Sequence, residues 1–319
     1  MMEREQFYNF MKYSVQDLLN ERGVEGNVQI EEVMKNNDQV LTGLVIRGNG
    51  ECISPCIYLN DMYERYQEGY PLSYMANEVA DLMEEARNPE IDLSKLMDYD
   101  NAKEYLSIRL VGIEENEQWL ADKVWEPMGD FAKVCYLDFG EQENGHMTAV
   151  VTMGNMALMG ATKEQMMTDA QKNLNNKEHI FMSISAMMAE MMMGIQEMMP
   201  EEYGPPLYVL TNKEKTQGAA MIARPDIMKE IGDKFGCDYY VLPSSTHEVL
   251  VMPVSAEVEL EMLSAMVHEV NATEVSPQDK LSDKVQYYDR EREQLRNALE
   301  PAEKETEVVK TPKEKTQER

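Results

Sequence analysis

LYVLTNKEKTQGAAMIARPDIMKEIGDKFGCDYYVLPSSTHEVLVMP, running from Leu207 to Pro253, decides the fold class of this chain. Short apolar runs at Leu207 to Leu210, Ala219 to Ala223, Tyr239 to Leu242 and Val249 to Met252 read as strands. Between the second and third lies a helix from Pro225 to Phe235. Pro225 opens it where a missing amide is harmless, and Gly236 closes it. A second helix, Ala256 to Val270, follows the last strand. Connections this short favour antiparallel pairing, and no G-x-G-x-x-G follows a strand. The expected class is therefore α+β, mainly antiparallel sheets with covering helices, and not a doubly wound parallel sheet.

Working outward toward the amino terminus, Arg4 to Glu21 predicts a helix stopped by Gly23. Val28 to Val33 and Leu41 to Ile46 flank the turn signal Asn36-Asn37-Asp38, and a third extended run passes through Ile57-Tyr58-Leu59. This predicts an antiparallel meander, covered by helices from Asp61 to Gln67 and Ser73 to Ala86. The middle of the chain offers a strand at Ile108 to Ile113, a short helix around Trp119, and a hairpin from Ala132 to Phe139 into Met147 to Val151. Thr162 and Gln165 make a capping box for a helix to about Leu174. The expected units are 1–90, 91–180, a Met-rich helical insertion over 181–206, a ββαββα unit over 207–290, and a disordered charged tail over 291–319. In that tail Pro301 to Arg319 alternates Glu with Lys and has two valines as its only sizeable apolar residues.

Acids outnumber bases by 59 to 30, giving a net charge of −29. Net repulsion from phosphate disfavours direct nucleic-acid binding. The four cysteines form no C-x-x-C and no cluster with histidine, which fits a reduced cytoplasm and implies no metal or other cofactor. MMEREQFYNFMKY lacks a signal-type apolar core, so export is not expected. Glu190 interrupts the most apolar stretch, Ile180 to Ile195, which is shorter than the roughly 20 residues of a membrane span.

Five strings carry a resemblance: NNDQVLTGLVIR (Asn36 to Arg47), ISPCIYLNDMYERYQEG (Ile53 to Gly69), YVLTN (Tyr208 to Asn212), LPSSTHEVLVMP (Leu242 to Pro253) and LSDKVQYYDRE (Leu281 to Glu291). Together they resemble an uncharacterised family of anaerobic gut bacteria, known only as a domain of unknown function, over roughly Met1 to Glu291. More loosely the layout is similar to a second uncharacterised bacterial family that shares the final strand, helix and strand. The resemblance implies a bacterial, cytoplasmic protein of one contiguous architecture. It carries no functional residue over.

The most chemical string is Pro243 to Glu248. Ser244, Ser245, His247 and Glu248 could supply nucleophile, base and orienting acid, which makes a hydrolase-like enzyme one reading. Ser-Ser-Thr is also ordinary turn chemistry, and the loop lacks the strand-turn-helix setting of G-x-S-x-G. His247-Glu248 and His268-Glu269 do not form H-E-x-x-H. Of the 28 methionines, eight fall between Met182 and Met199. Met188, Met191, Met192 and Met199 lie near one helical face while Met187, Met193 and Met198 spread around the cylinder, so an incompletely buried helix is expected. Flexible thioethers suit docking of another protein. A noncatalytic protein-interaction module is thus the leading expectation. The hydrolase and an acidic mimic of nucleic acid, seated in a basic groove, are the alternatives.

Overall fold

The computed structural model describes residues 2–47, 56–86, 96, 98–142, 145–191, 206–254 and 258–300. They form an α+β fold with three sheets in which every pairing is antiparallel.

The first sheet has order β1-β2-β3 and is preceded by α1 (Arg4–Glu21). Its strands are β1 (Asn27–Met34), β2 (Val40–Arg47) and β3 (Cys56–Tyr58), and α2 (Asn60–Gln67) and α3 (Leu72–Ala86) follow. Pairing of Val28 with Ile46, of Ile30 with Leu44 and of Leu44 with Ile57 puts these side chains on one face. Against that face pack Phe7, Met11, Val15 and Leu19 of α1, spaced four apart, and Met75, Val79 and Met83 of α3. Each of these fully buried α1 side chains contributes about 1.5–3 kcal/mol relative to exposure. The helices form because this stripe is continuous, and Gly23 at φ 74° ends α1 in the left-handed region.

The second sheet centres on a long strand, β6. In chain order its surroundings are α4 (Tyr99–Ala102), β4 (Leu106–Gly112), α5 (Glu117–Leu120), β5 (Trp125–Met128), β6 (Phe131–Gln142), β7 (Gly145–Val150), α6 (Met153–Leu158) and α7 (Lys163–Asn176). β4 lies on one side of β6, while β5 and β7 share the other. The capping box that opens α7 is formed: Gln165 N–H donates to Thr162 Oγ1 at 3.2 Å, and Thr162 N–H donates to Gln165 Oε1 at 2.9 Å.

The third sheet has six strands in the order β13-β12-β10-β11-β9-β8. Its elements are β8 (His179–Ser183), α8 (Ile184–Met191), β9 (Tyr208–Asn212), α9 (Pro225–Phe235), β10 (Tyr239–Leu242), β11 (Val249–Pro253), α10 (Leu260–Thr273), β12 (Gln286–Asp289) and β13 (Gln294–Asn297). Tyr239, Val241, Val249, Val251 and Tyr288 face α9 and the second sheet. Leu242, Met252 and Val285 face Leu263 and Val267 of α10.

Four expectations are corrected. Gly218–Ala223 is a 3-10 helix, not a strand; all six residues are buried, and a run of small apolar residues buried on every side has no periodicity to betray its conformation. A boundary after residue 180 falls inside β8, which pairs with β9. One continuous core joins Leu106, Phe131 and Met166 to Leu210, Ile227 and Tyr239, so the middle and carboxyl-terminal units share their interior. Finally, Gln294–Asn297 pairs with β12, so the tail expected from 291 begins with an edge strand, where polar residues are normal. Residues 301–319 and 192–205 lie outside the described residues.

Candidate functional site

The loop between β10 and β11 is seated against the segment Ser276 to Ser282. Thr246 N–H donates to the Asp279 carbonyl at 2.7 Å, Leu281 N–H to the Ser244 carbonyl at 3.1 Å, and Ser282 N–H to the Pro243 carbonyl at 2.9 Å. Ser245 Oγ accepts the His247 N–H at 3.0 Å, and Thr211 Oγ1 donates to the His247 carbonyl at 2.7 Å. The Ser245 hydroxyl is therefore engaged by the backbone of its own turn.

The imidazole itself lies 3.2 Å from Asp279 Oδ1 through Nε2, and its Nδ1 faces the Gln217 N–H at 3.4 Å. A backbone N–H can only donate, so Nδ1 accepts and Nε2 carries the proton toward the carboxylate. Ser276 Oγ donates to the other Asp279 oxygen at 2.8 Å. The hydrogen bond to Asp279 raises the His247 pKa against the opposing effect of burial. Reciprocally His247, with Ser276, holds the Asp279 carboxyl below its usual range although burial opposes this. Ser244, Ser245 and Glu248 have no hydrogen bond to the His247 ring, so the predicted loop meets Asp279 and not a nucleophile of its own.

The same segment is gripped from the amino-terminal unit. Asn36 Nδ2 donates to the Gln278 and Lys280 carbonyls at 2.8 and 2.9 Å, and Asn37 Nδ2 to the Pro277 carbonyl at 2.7 Å. On its other side this turn reaches α5: Asn37 N–H donates to Asn116 Oδ1 at 2.7 Å, and Asp38 accepts the Gln118 and Trp119 N–H groups at 3.2 and 2.8 Å. An Asn-Asn-Asp turn, with Asn37 and Asp38 at positive φ, thus ties all three sheets together.

Two cations stand at this junction. Lys35, next to the turn, lies 4.5 Å over the Tyr58 ring, and Arg109 of β4 lies 5.6 Å over the Trp119 ring. Arg109 Nε is buried without a hydrogen-bond partner, and so is Thr246 Oγ1. Burial pushes both cations' pKa values down, and the Arg109 charge lowers that of Lys35 further. A separate polar cluster is complete: Asp138 holds Lys177, His146 Nε2 at 2.6 Å and the Gly140 N–H at 3.1 Å. Burial raises the Asp138 pKa, but these partners outweigh it and leave the carboxyl below its usual range.

Grooves elsewhere are lined by Glu126, Lys133, Glu164, Gln171 and Lys172, and by Glu115, Asp130, Ser282 and Lys284; no residue of the Pro243 to Glu248 loop lines either. Among the described residues no three His, Cys, Asp or Glu side chains are grouped to hold a metal, and no helix is long and apolar enough to cross a membrane. Of the methionines expected to dock a partner, Met188 on α8 is 55% exposed. The Met191 side chain, Met192 and Met199 lie outside the described residues. Sequence reasoning missed a second thioether pair, Met262 and Met266, one turn apart on the outer face of α10 and 65% and 37% exposed. It also missed Asp279, Lys35 and Arg109. Only Arg109 carried a signal, as a charge inside the apolar run LSIRLVG.

No curated protein and no solved structure matches the chain. One family model does, over residues 4–290, nearly the whole length. By that match the chain belongs to the family of unknown function DUF5688.

Proposed function

We propose that this chain is a noncatalytic docking module whose outward thioethers receive a basic amphipathic helix of another protein. The observation that carries this reading is the exposure of Met262 and Met266 on α10, a helix whose buried face is fixed in the core through Leu263 and Val267. Exposed Glu259, Glu261 and Glu269 flank the pair, which complements a helix with a basic rim and an apolar stripe. Met188 on α8 adds a further exposed thioether. A bacterial, cytoplasmic setting belongs to the same reading, supported by the free thiols of Cys56, Cys135 and Cys237.

The hydrolase alternative finds less support, because Ser245 Oγ and the His247 ring each bind structural partners and do not face one another. The acidic-mimic alternative needs carboxylates aligned on one face. Acids instead pair with bases in all three sheets' neighbourhoods, as in Arg65 with Glu78, Lys133 with Glu126 and Arg290 with Asp233. The test is co-isolation from the native host with quantitative mass spectrometry, comparing the native protein, Met262→Lys with Met266→Lys, and Ser245→Ala with His247→Asn. Docking predicts that the methionine variant alone loses a partner bearing a basic amphipathic segment. Loss confined to the loop variant would overturn the proposal.

A further inference from the structure

Lys35, Arg109 and His247 come from three different units and meet where the Asn36 to Asp38 turn is wedged between α5 and the segment Pro277 to Lys280. Covalent adjacency fixes Lys35 to that turn. Arg109 is fixed through Trp119, whose N–H the turn's Asp38 accepts and over whose ring the guanidinium lies. His247 is fixed through Asp279, which lies on the wedged segment. The three attachments bring a lysine, an arginine and a histidine together.

Charge accounting makes this junction unusual. The chain carries 59 acids against 30 bases, so a cation has many carboxylates to choose from. Yet among the described residues neither Lys35 nor Arg109 forms an ion pair, and their side chains make no hydrogen bond there. Among the described residues Asp279 is the carboxylate whose charge favours the Arg109 cation, and it is engaged by His247 and Ser276. Thr246, 1% exposed, has an Oγ1 with no partner. A half-buried cation without a counter-charge is costly, and two that repel one another are costlier. Aromatic faces offset part of this through cation–π attraction, worth about 0.5–2 kcal/mol apiece. They supply no hydrogen-bond acceptor for Arg109 Nε.

From this we infer that the junction of the three sheets binds a small oxyanion, a carboxylate or a phosphate, held by the Arg109 guanidinium and the Lys35 ammonium. A guanidinium edge matches the paired oxygens of either group, and the ammonium adds a point charge. Because Lys35 directly follows β1 and Arg109 lies on β4, the anion couples the amino-terminal unit to the second sheet, and its binding reads out as added stability of the fold. This site is distinct from the α10 docking face and stands or falls independently of it.

The experiment is thermal unfolding and calorimetric titration of the full chain with inorganic phosphate and with citrate, against sodium chloride at matched ionic strength. The expected result is a saturable rise in unfolding temperature with phosphate or citrate that chloride does not reproduce. Arg109→Gln and Lys35→Gln should each weaken binding at least tenfold. Phosphate active alone identifies a phosphate site, and citrate active alone a carboxylate site. Should a variant fail to fold, the native protein labelled with nitrogen-15 decides. Its Arg109 Nε–H resonance shifts on titration if the site is real. An unfolding temperature that follows ionic strength alone, variants that respond like the native chain, or an unmoved Arg109 resonance would each overturn the inference.

Discussion

Replacing Asp279 with Asn should flatten part of the pH dependence of stability. The two groups of the His247–Asp279 pair shift in opposite directions: His247 is raised by its bond to Asp279, and Asp279 is lowered by His247. A raised histidine contributes stability that is full below its unfolded value of about 6.5 and is lost as pH climbs through the folded pKa. A lowered aspartate contributes stability that is full above about 3.9 and is lost as pH falls through the folded pKa. The pair therefore stabilises most in the window between, near pH 5. Its side chains are 32% and 46% exposed, so screening keeps its worth in the range of surface pairs, about 0.5–1 kcal/mol. The Gln217 N–H facing Nδ1 at 3.4 Å limits the gain further, because a protonated ring cannot accept it. Urea unfolding at about pH 5.5 and about pH 8 measures the effect, and the native chain should lose about 0.5–1 kcal/mol more than Asp279→Asn across that step. The comparison cancels the His146–Asp138 contact, which both proteins retain. Equal losses in the two proteins would refute the reasoning.

Other perturbations probe the remaining joints. Asp38→Ala removes the acceptor of two α5 amides and should cost about 1 kcal/mol in denaturant unfolding, as loss of a helix cap does. Gly218→Ala would set a methyl 2.5 Å from the His247 carbonyl and 2.7 Å from the Asn212 nitrogen, both backbone, and should destabilise by about 1–3 kcal/mol or more, read as a lower unfolding temperature. Asp138→Asn leaves Lys177 without its carboxylate in a largely buried cluster and should cost about 2–4 kcal/mol at neutral pH, with the deficit shrinking as acid protonates the native carboxyl. Burial pushes the Cys135 thiol up to about 12, so it should resist alkylation in the folded chain and react only on unfolding, as peptide mapping after iodoacetamide would register.

Legibility followed periodicity and end chemistry. α1 was readable because one face is wet and the other dry, β2 because a short apolar run follows the Asn36-Asn37-Asp38 turn signal, and α7 and α9 because Thr162, Gln165, Pro225 and Gly236 mark their ends. The 3-10 turn at Gly218–Ala223 was opaque because it is buried all round, and β13 because an edge strand needs no apolar face. β8 hid at the head of an apolar run that continues into α8, where strand and helix share composition. At the candidate sites, His247 was visible as a residue, but its partner Asp279 lies 32 positions away in a turn with no pattern of its own. The Asn36-Asn37-Asp38 turn was read as a turn. That it clasps two other units is a tertiary fact, set by side-chain amides meeting carbonyls more than 200 residues distant.

The docking claim is tested most directly by a methionine oxidation footprint, with mild peroxide applied to the full chain in buffer and in extract of its host, followed by peptide mass spectrometry. The account predicts that Met188, Met262 and Met266 oxidise well ahead of buried Met228 in buffer, and that extract slows Met262 and Met266 while leaving the ranking of the rest unchanged. Oxidation of Met262 and Met266 as slow as that of Met228 in buffer, or equally fast in buffer and extract, would contradict it.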